Sequence, residues 1–249
     1  MKYRKKALGF TIIEIMLFLA ITSVLTAGLF VGVGTSINSQ RYHDSVNSLR
    51  SIIQEQYSNV ANVSNSRSQK WKCSDIDGIQ EGLGGEFVGQ SDCVVIGKLI
   101  TTDASNDSAL MIKTIVGYPI NEASYFSSND LVTLKDRYKL KISPIKAQTE
   151  EYSMEWDNYL TEQSGKSASN FSIFIFRSPS TGSIKTLINS KKVVDNIYDL
   201  VNSTSLAEGL SMCVNARGFV TGEKMSVVLN PNASNANDIE MKGSDSGCK

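Results

Sequence analysis

Residues Phe10–Ile37 read FTIIEIMLFLAITSVLTAGLFVGVGTSI, an unbroken stretch of apolar and small polar residues whose sole formal charge is Glu14. At 1.5 Å rise per residue it makes roughly 42 Å of helix, more than the ~30 Å hydrocarbon core of a bilayer. The nine residues before it, MKYRKKALG, carry Lys2, Arg4, Lys5 and Lys6 and no acid. A basic block ahead of an apolar span stays on the cytoplasmic side, so the chain beyond Ile37 is expected outside the cytoplasm.

The length of this stretch argues against a cleaved secretory signal, which needs a short apolar region followed by a small-x-small exit site. The best exit candidate, Thr26-Ala27-Gly28, sits inside the apolar run. A plain signal anchor accounts for the span and its basic flank but not for Glu14. A carboxylate buried in a membrane helix costs about 2.5–3.5 kcal/mol on insertion scales unless it is paired. Its partner has to come from outside the segment, because the segment holds no cation.

Gly9-Phe10-Thr11-Ile12-Ile13-Glu14, with the basic leader before it and the apolar run behind it, closely resembles the class III signal of type IV pilins and pseudopilins. The resemblance covers the leader and about the first 30 residues after it closely, and the rest of the chain only in broad organisation. It implies that a prepilin peptidase cuts after Gly9, that Phe10 becomes the N-methylated first residue, and that Glu14 pairs with the terminal amine of a neighbouring subunit. Such a carboxylate acts as a register device, since one left unpaired in an apolar filament core is heavily penalised. The implied partners are the peptidase, other pilin subunits, inner-membrane assembly machinery and, before assembly, membrane lipid.

Helical periodicity continues past the apolar run. Tyr42, Val46, Leu49, Ile53, Tyr57, Val60 and Val63 recur at spacings of three and four and write one apolar stripe. Neither Gly nor Pro interrupts residues 38–63, and Ser64-Asn65-Ser66 supplies a stop. The spacing predicts one helix over residues 10–63, its first half in lipid or a filament core and its second half packed on a globular head. Many pilins carry a Pro in the apolar half; this chain has Gly28, Gly32 and Gly34 there instead. Three readings stand open: a soft segment that extends on polymerisation, a small-residue packing face, or the ordinary glycine content of membrane helices.

From residue 64 to 249 the composition turns to Gly, Ser, Asn and Asp with short β-patterned runs. Strands are expected at Val94–Thr101, Leu110–Val116, Leu131–Ile142, Phe171–Phe176, Ser183–Ile188 and Met225–Leu229, and helices at Glu150–Leu160 and Val193–Val201. Ser178-Pro-Ser-Thr-Gly182 reads as the turn of a β-hairpin, and Asn215-Ala-Arg-Gly218 as a second turn. The predicted class is α+β: an antiparallel sheet with its apolar face on the stripe of the long helix, organised as leader (1–9), helix (10–63) and head (64–249).

Cys73, Cys93, Cys213 and Cys248 all lie in the head and allow three pairings. Sequence proximity favours Cys73–Cys93 and Cys213–Cys248, and an extracytoplasmic head favours bridges over free thiols. The second pair resembles the C-terminal disulfide loop of pilins.

Searches for chemistry mostly fail. The chain has a single His, and HExxH, GxSxG, Walker and GxGxxG motifs are absent. Ser143-Pro-Ile-Lys146 fits S-x-x-K without the companion motifs and reads as coincidence. His43 suits a surface or headgroup position at the start of the amphipathic half. No enzymatic activity or cofactor is expected. Asp75 and Asp77 on a Gly-rich loop offer a weak calcium candidate set against an ordinary solvated loop. Lys135, Arg137, Lys139 and Lys141 alternate with Asp136, Tyr138, Leu140 and Ile142, which on a strand puts four cations on one face. Contact with DNA or an acidic surface ligand is one reading of that face, and a solvated outer surface is the other.

Charge limits the first reading. The chain holds 25 basic and 25 acidic side chains, so removal of the four leader cations leaves 21 against 25 and a formal charge of −4. A basic surface for nucleic acid is therefore local at most. The reading is a pilin or pseudopilin subunit; the alternative is a single-pass anchored extracytoplasmic binding or enzymatic domain that does not polymerise.

Overall fold

The computed structural model describes residues 11–62, 71–74, 78–81, 93–103, 105–120, 129–143, 145–165, 168–190, 196–202, 209–217 and 224–249. One helix, α1 (Ile12–Ala61), accounts for 50 residues and ends at Asn62, whose backbone N–H donates to the Ser58 carbonyl. Within it the apolar stripe is legible residue by residue. Tyr42, Val46, Leu49, Ile53, Tyr57 and Val60 are all buried. Each such side chain contributes about 1.5–3 kcal/mol as an upper bound. Val63 lies outside the described residues.

The head is built on antiparallel sheets. The larger has the order β5 (Tyr138–Ile142), β4 (Asn106–Pro119), β3 (Val94–Asp103), β8 (Ser172–Arg177) and β9 (Ile184–Asn189), with β6 (Thr149–Ser153) also paired to β4. The 14-residue β4 carries two partners end to end: Ala109–Lys113 face β6, and Ile115–Pro119 face β5. A second sheet runs β12 (Ile239–Lys242), β11 (Ser226–Leu229), β10 (Leu210–Ala216) and β7 (Asn158–Thr161). A two-stranded ribbon, β1 (Trp71–Ser74) with β2 (Gly78–Glu81), stands apart.

The single apolar sheet face expected from the sequence is exceeded, because the larger sheet buries both faces. On one side Ile100, Ile112, Ile173, Ile175 and Ile188 join the stripe of α1 and the inner residues of the second sheet in one core. On the other, Leu99, Ile115, Phe174, Phe176 and Leu187 pack under α2 (Asp130–Arg137), β5 and α3 (Ile197–Val201). The sequence SIFIFR of β8 shows the logic. Side chains alternate across a strand, so Ile173 and Ile175 reach the long helix while Phe174 and Phe176, stacked 5.1 Å apart, fill the opposite layer.

Two expected elements are corrected. Leu131–Ile142 is not one strand. Asn129 caps a helix over Asp130–Arg137, its side chain accepting from the Leu131 amide, and only Tyr138–Ile142 is extended. Asp130 in the first turn and Lys135 and Arg137 in the last complement the helix dipole, a signal that the alternating charge pattern masked. Glu150–Leu160 is not a helix but β6, a tight turn at Glu155–Asp157, and β7. Trp156 and Asp157 both adopt left-handed backbone (φ 59° and 57°), through which no right-handed helix can continue. The helix expected at Val193–Val201 is described over Ile197–Val201. The expected turn at Asn215–Gly218 is described only in part; Asn215 and Ala216 belong to β10.

Candidate functional site: the exposed half of the long helix

The first turn of α1 is fixed by a capping box. Thr11 Oγ1 accepts from the Glu14 amide at 3.3 Å, and Glu14 Oε2 accepts from the Thr11 amide at 2.8 Å and from the Thr11 hydroxyl at 2.8 Å. Reciprocal bonding of this kind satisfies orphan donors at a helix start. Its donors here are neutral. Among the described residues no cation lies within ion-pair distance of Glu14. Gly9 and Phe10 lie outside the described residues.

Beyond Glu14 the helix is bare. Ile15, Met16, Leu17, Phe18, Leu19, Ile21 and the apolar residues on to Ile37 are all exposed, and the window is long and apolar enough to cross a membrane. The hydroxyls of Thr22, Ser23, Thr26 and Thr35 are satisfied by the helix itself. Thr22 donates to the Phe18 carbonyl (2.9 Å), Ser23 to Leu19 (2.7 Å), Thr26 to Thr22 (2.7 Å) and Thr35 to Gly32 (3.0 Å). Internal satisfaction is what hydrocarbon demands, because an unmet polar group costs several kcal/mol there. Gly28, Gly32 and Gly34 meet nothing that a Cβ would touch, so the small-residue face has no partner among the described residues. The same helix is thus unpartnered over one half and fully engaged over the other.

The engaged half is locked to the head, against both sheets, by polar as well as apolar contacts. Arg50 Nε donates to the Ile239 carbonyl at 3.1 Å, and Gln54 Nε2 to the Ala236 carbonyl at 2.9 Å. The Tyr57 hydroxyl meets Thr186 Oγ1 at 2.8 Å. These bonds fix the direction in which the bare half leaves the head.

The remaining candidate residues separate. The four cations do not share a face. Lys135 and Arg137 lie in the last turn of α2, two positions apart and so on different sides of the helix. Lys139 and Lys141 are exposed on β5, with Lys139 Nζ 5.8 Å from the Tyr118 ring centroid. The four-cation strand is thereby reduced to a pair. Cys73 is bonded to Cys93 and Cys213 to Cys248, with Cα atoms 5.6 and 5.8 Å apart. The second bridge ties the tail to β10. Asp75 and Asp77 lie outside the described residues. His43 is exposed on α1, beside Tyr42. Ser143 is buried, its Oγ accepting from the Ile145 amide at 3.2 Å, a turn contact rather than a nucleophile's setting.

One polar node was not anticipated. The Asp130 carboxylate, buried at the start of α2, accepts from Ser178, from Ser180 at 2.6 Å and from Thr181 at 3.3 Å, with Lys185 Nζ at 3.3 Å. The Ser178 and Ser180 hydrogen bonds, followed by Lys185, hold its carboxyl below the ordinary aspartate range. The node clamps α2 to the β8–β9 turn and lines a groove of mixed character, about 540 Å³, together with Asn129, Leu131, Ile184, Thr186, Asn232 and Ser234. The hydroxyl-rich Ser178–Ser183 turn was its sequence signal, without indication of which carboxylate it would receive.

No family model, no curated protein and no solved structure matches this chain.

Proposed function

We propose that this chain is a pilin or pseudopilin subunit: cleaved by a prepilin peptidase after Gly9, methylated on Phe10, held in the inner membrane by the first half of α1, and polymerised through that half into a filament. Its head faces outward, and assembly machinery in the inner membrane draws subunits from the lipid. The observation that carries the reading is the division of α1. Tyr42 to Val60 are consumed by the head, whereas Ile12 to Ile37 present an apolar surface with no partner among the described residues, headed by a carboxylate that among those residues is held by neutral groups. Burying that helix among copies of itself would remove the apolar surface from solvent and give Glu14 the positive partner it lacks, the terminal amine of a neighbour. A simple anchor uses the same apolar surface and asks nothing of the carboxylate beyond the helix cap.

Mass spectrometry of the N-terminus, after expression beside a prepilin peptidase, tests the processing: a methylated Phe10 is expected, and an intact leader overturns it. Glu14→Ala tests assembly. Removing one partner of a buried ion pair costs about 3–5 kcal/mol, so the variant should be membrane-inserted yet missing from sheared filaments. Normal incorporation would overturn the pairing role of Glu14, and absence of the parent chain itself from sheared filaments would leave the anchored, non-polymerising domain as the reading.

A further inference from the structure

Outside the bare half of α1, Trp156 is a large exposed aromatic side chain, at 54% exposure. It sits on the turn between β6 and β7, which packs against α1, and the Arg41 guanidinium lies 4.6 Å from its ring centroid. Arg41 follows Ile37, the last exposed large apolar residue of the helix, by four positions, or about 6 Å along the axis. The turn is held in an expensive backbone. Trp156 and Asp157 are both left-handed, a region that suits Gly or Asn and disfavours bulky side chains. Asn158 fixes it by donating from its side chain to the Glu155 carbonyl at 3.0 Å. Asp157 is drawn to Arg217 (3.5 Å), whose guanidinium also lies 5.4 Å from the Tyr159 ring.

The contact with Arg41 covers only part of the indole, so packing alone does not account for a bulky apolar ring on this turn. The placement supplies the missing purpose. Indole rings concentrate at the level of lipid headgroups, where an apolar body and one N–H donor are both accommodated, and guanidinium groups bond phosphate oxygens in the same layer. The headgroup layers add about 10–15 Å in total to the hydrocarbon thickness, so Arg41 and the indole beside it reach this level when the bare helix spans the bilayer. We propose that Trp156 and Arg41 form a membrane-interface foot, which seats the head on the phospholipid headgroups of the leaflet it faces and sets its height and tilt before assembly. The proposal rests on the membrane-spanning reading of Ile12–Ile37 and names a contact that reading does not require.

The test places the full-length chain in vesicles of phosphatidylethanolamine and phosphatidylglycerol bearing spin-labelled lipids. With the other tryptophan replaced (Trp71→Phe), Trp156 fluorescence should be quenched by a label near the headgroup about twofold or more above a label deep in the acyl chains. A Phe18→Trp probe in a chain lacking both native tryptophans should show the opposite order. If Phe18→Trp is quenched by the deep label and Trp156 by neither, the helix is inserted and the foot is overturned. If neither position is quenched by any label, the spanning reading itself fails and the foot falls with it. Trp156 shielded from aqueous quencher only as protein density rises identifies a neighbouring copy as the occupant and also overturns the proposal. Trp156→Ala in the native sequence, read as loss of the shallow-quenched component, answers the same question should Trp71→Phe not fold.

Discussion

The Tyr42 hydroxyl donates to the Val214 carbonyl at 2.8 Å and at the same time accepts from the Met225 amide at 2.7 Å. Val214 and Met225 face each other just beyond the last paired residues of β10 and β11, and one of their two ladder bonds, Val214 N–H to the Met225 carbonyl, is made directly at 3.0 Å. The other is relayed through the phenol. A residue of the long helix has therefore become part of the sheet's own hydrogen bonding, which fixes helix and sheet in one register.

Tyr42→Phe tests that insertion. The ring is kept, so packing is conserved, while a buried amide and a buried carbonyl each lose a partner. Leaving such groups unmet costs about 1–3 kcal/mol apiece. A lower thermal midpoint is expected for the head, followed by near-ultraviolet circular dichroism of the full chain in detergent. An unchanged midpoint would show that the two strands close the gap between themselves.

Gly97 supplies a second test. It lies at a β-bulge in β3, and a Cβ built there would collide with the Ile175 carbonyl oxygen and come within 2.7 Å of Phe176 Cα. Both neighbours are backbone of the central strand β8 and cannot swing aside. Gly97→Ala should destabilise by at least the ~1–3 kcal/mol typical of overpacking. Gly28→Ala, with open space around it, should leave the head's stability unchanged and so controls for the loss of glycine itself. Equal denaturant midpoints for the two variants would refute the close approach.

Reducing the bridge between Cys213 and Cys248 should be costly because it closes a loop with a sequence separation of 35. The chain-entropy relation puts such a bridge at about 4 kcal/mol. Cys213→Ser with Cys248→Ser is expected to lower the unfolding midpoint, and reductant should then have a smaller further effect than on the parent. If reductant lowers both chains equally, the stabilisation resides in Cys73–Cys93 instead.

What the sequence disclosed and what it hid follow from the range of the forces involved. The stripe Tyr42 to Val60 was legible because helical periodicity is local and every stripe residue is buried by the same helix face. The β8–β9 hairpin was legible because its turn residues sit between two apolar runs. Leu131–Ile142 was misread because alternation of charge fits a strand as well as it fits a capped helix followed by a strand. The decision fell to Asn129, outside the pattern, and to Asp130, whose partners Ser178 and Ser180 lie about fifty residues away. Glu150–Leu160 failed for a like reason: pairing with β4 sets β6 extended, and left-handed backbone at Trp156 leaves no sequence trace when the residue is neither Gly nor Asn. Of the candidate site, the exposed apolar run and Glu14 could be read directly. The foot at Trp156 could not, because it requires a turn over a hundred residues downstream to fold back beside Arg41.

Alkaline pH should unfold the head through Tyr57. Thr186 Oγ1 gives its proton to the Ala233 carbonyl at 2.7 Å, so the Tyr57 phenol must be the donor in its 2.8 Å bond to Thr186. Burial pushes the phenol from its ordinary 10.0 up to about 12, and Asp238 adds to the rise. A group whose folded pKa lies above its unfolded value contributes its full stability below the unfolded pKa and loses it as pH rises through the folded one. The window is therefore pH 10 to 12, with about 2–3 kcal/mol at stake to order of magnitude. Tyr152, likewise raised to about 12 chiefly by burial, titrates in the same window, so the parent chain should lose more than either tyrosine supplies alone. Denaturant midpoints measured across that window should fall less steeply for Tyr57→Phe than for the parent, with the neutral-pH midpoint lowered by the loss of the Thr186 bond. Identical slopes would mean that Tyr57 reaches solvent before it ionises, and the buried helix–sheet contact would not be the element that alkali breaks.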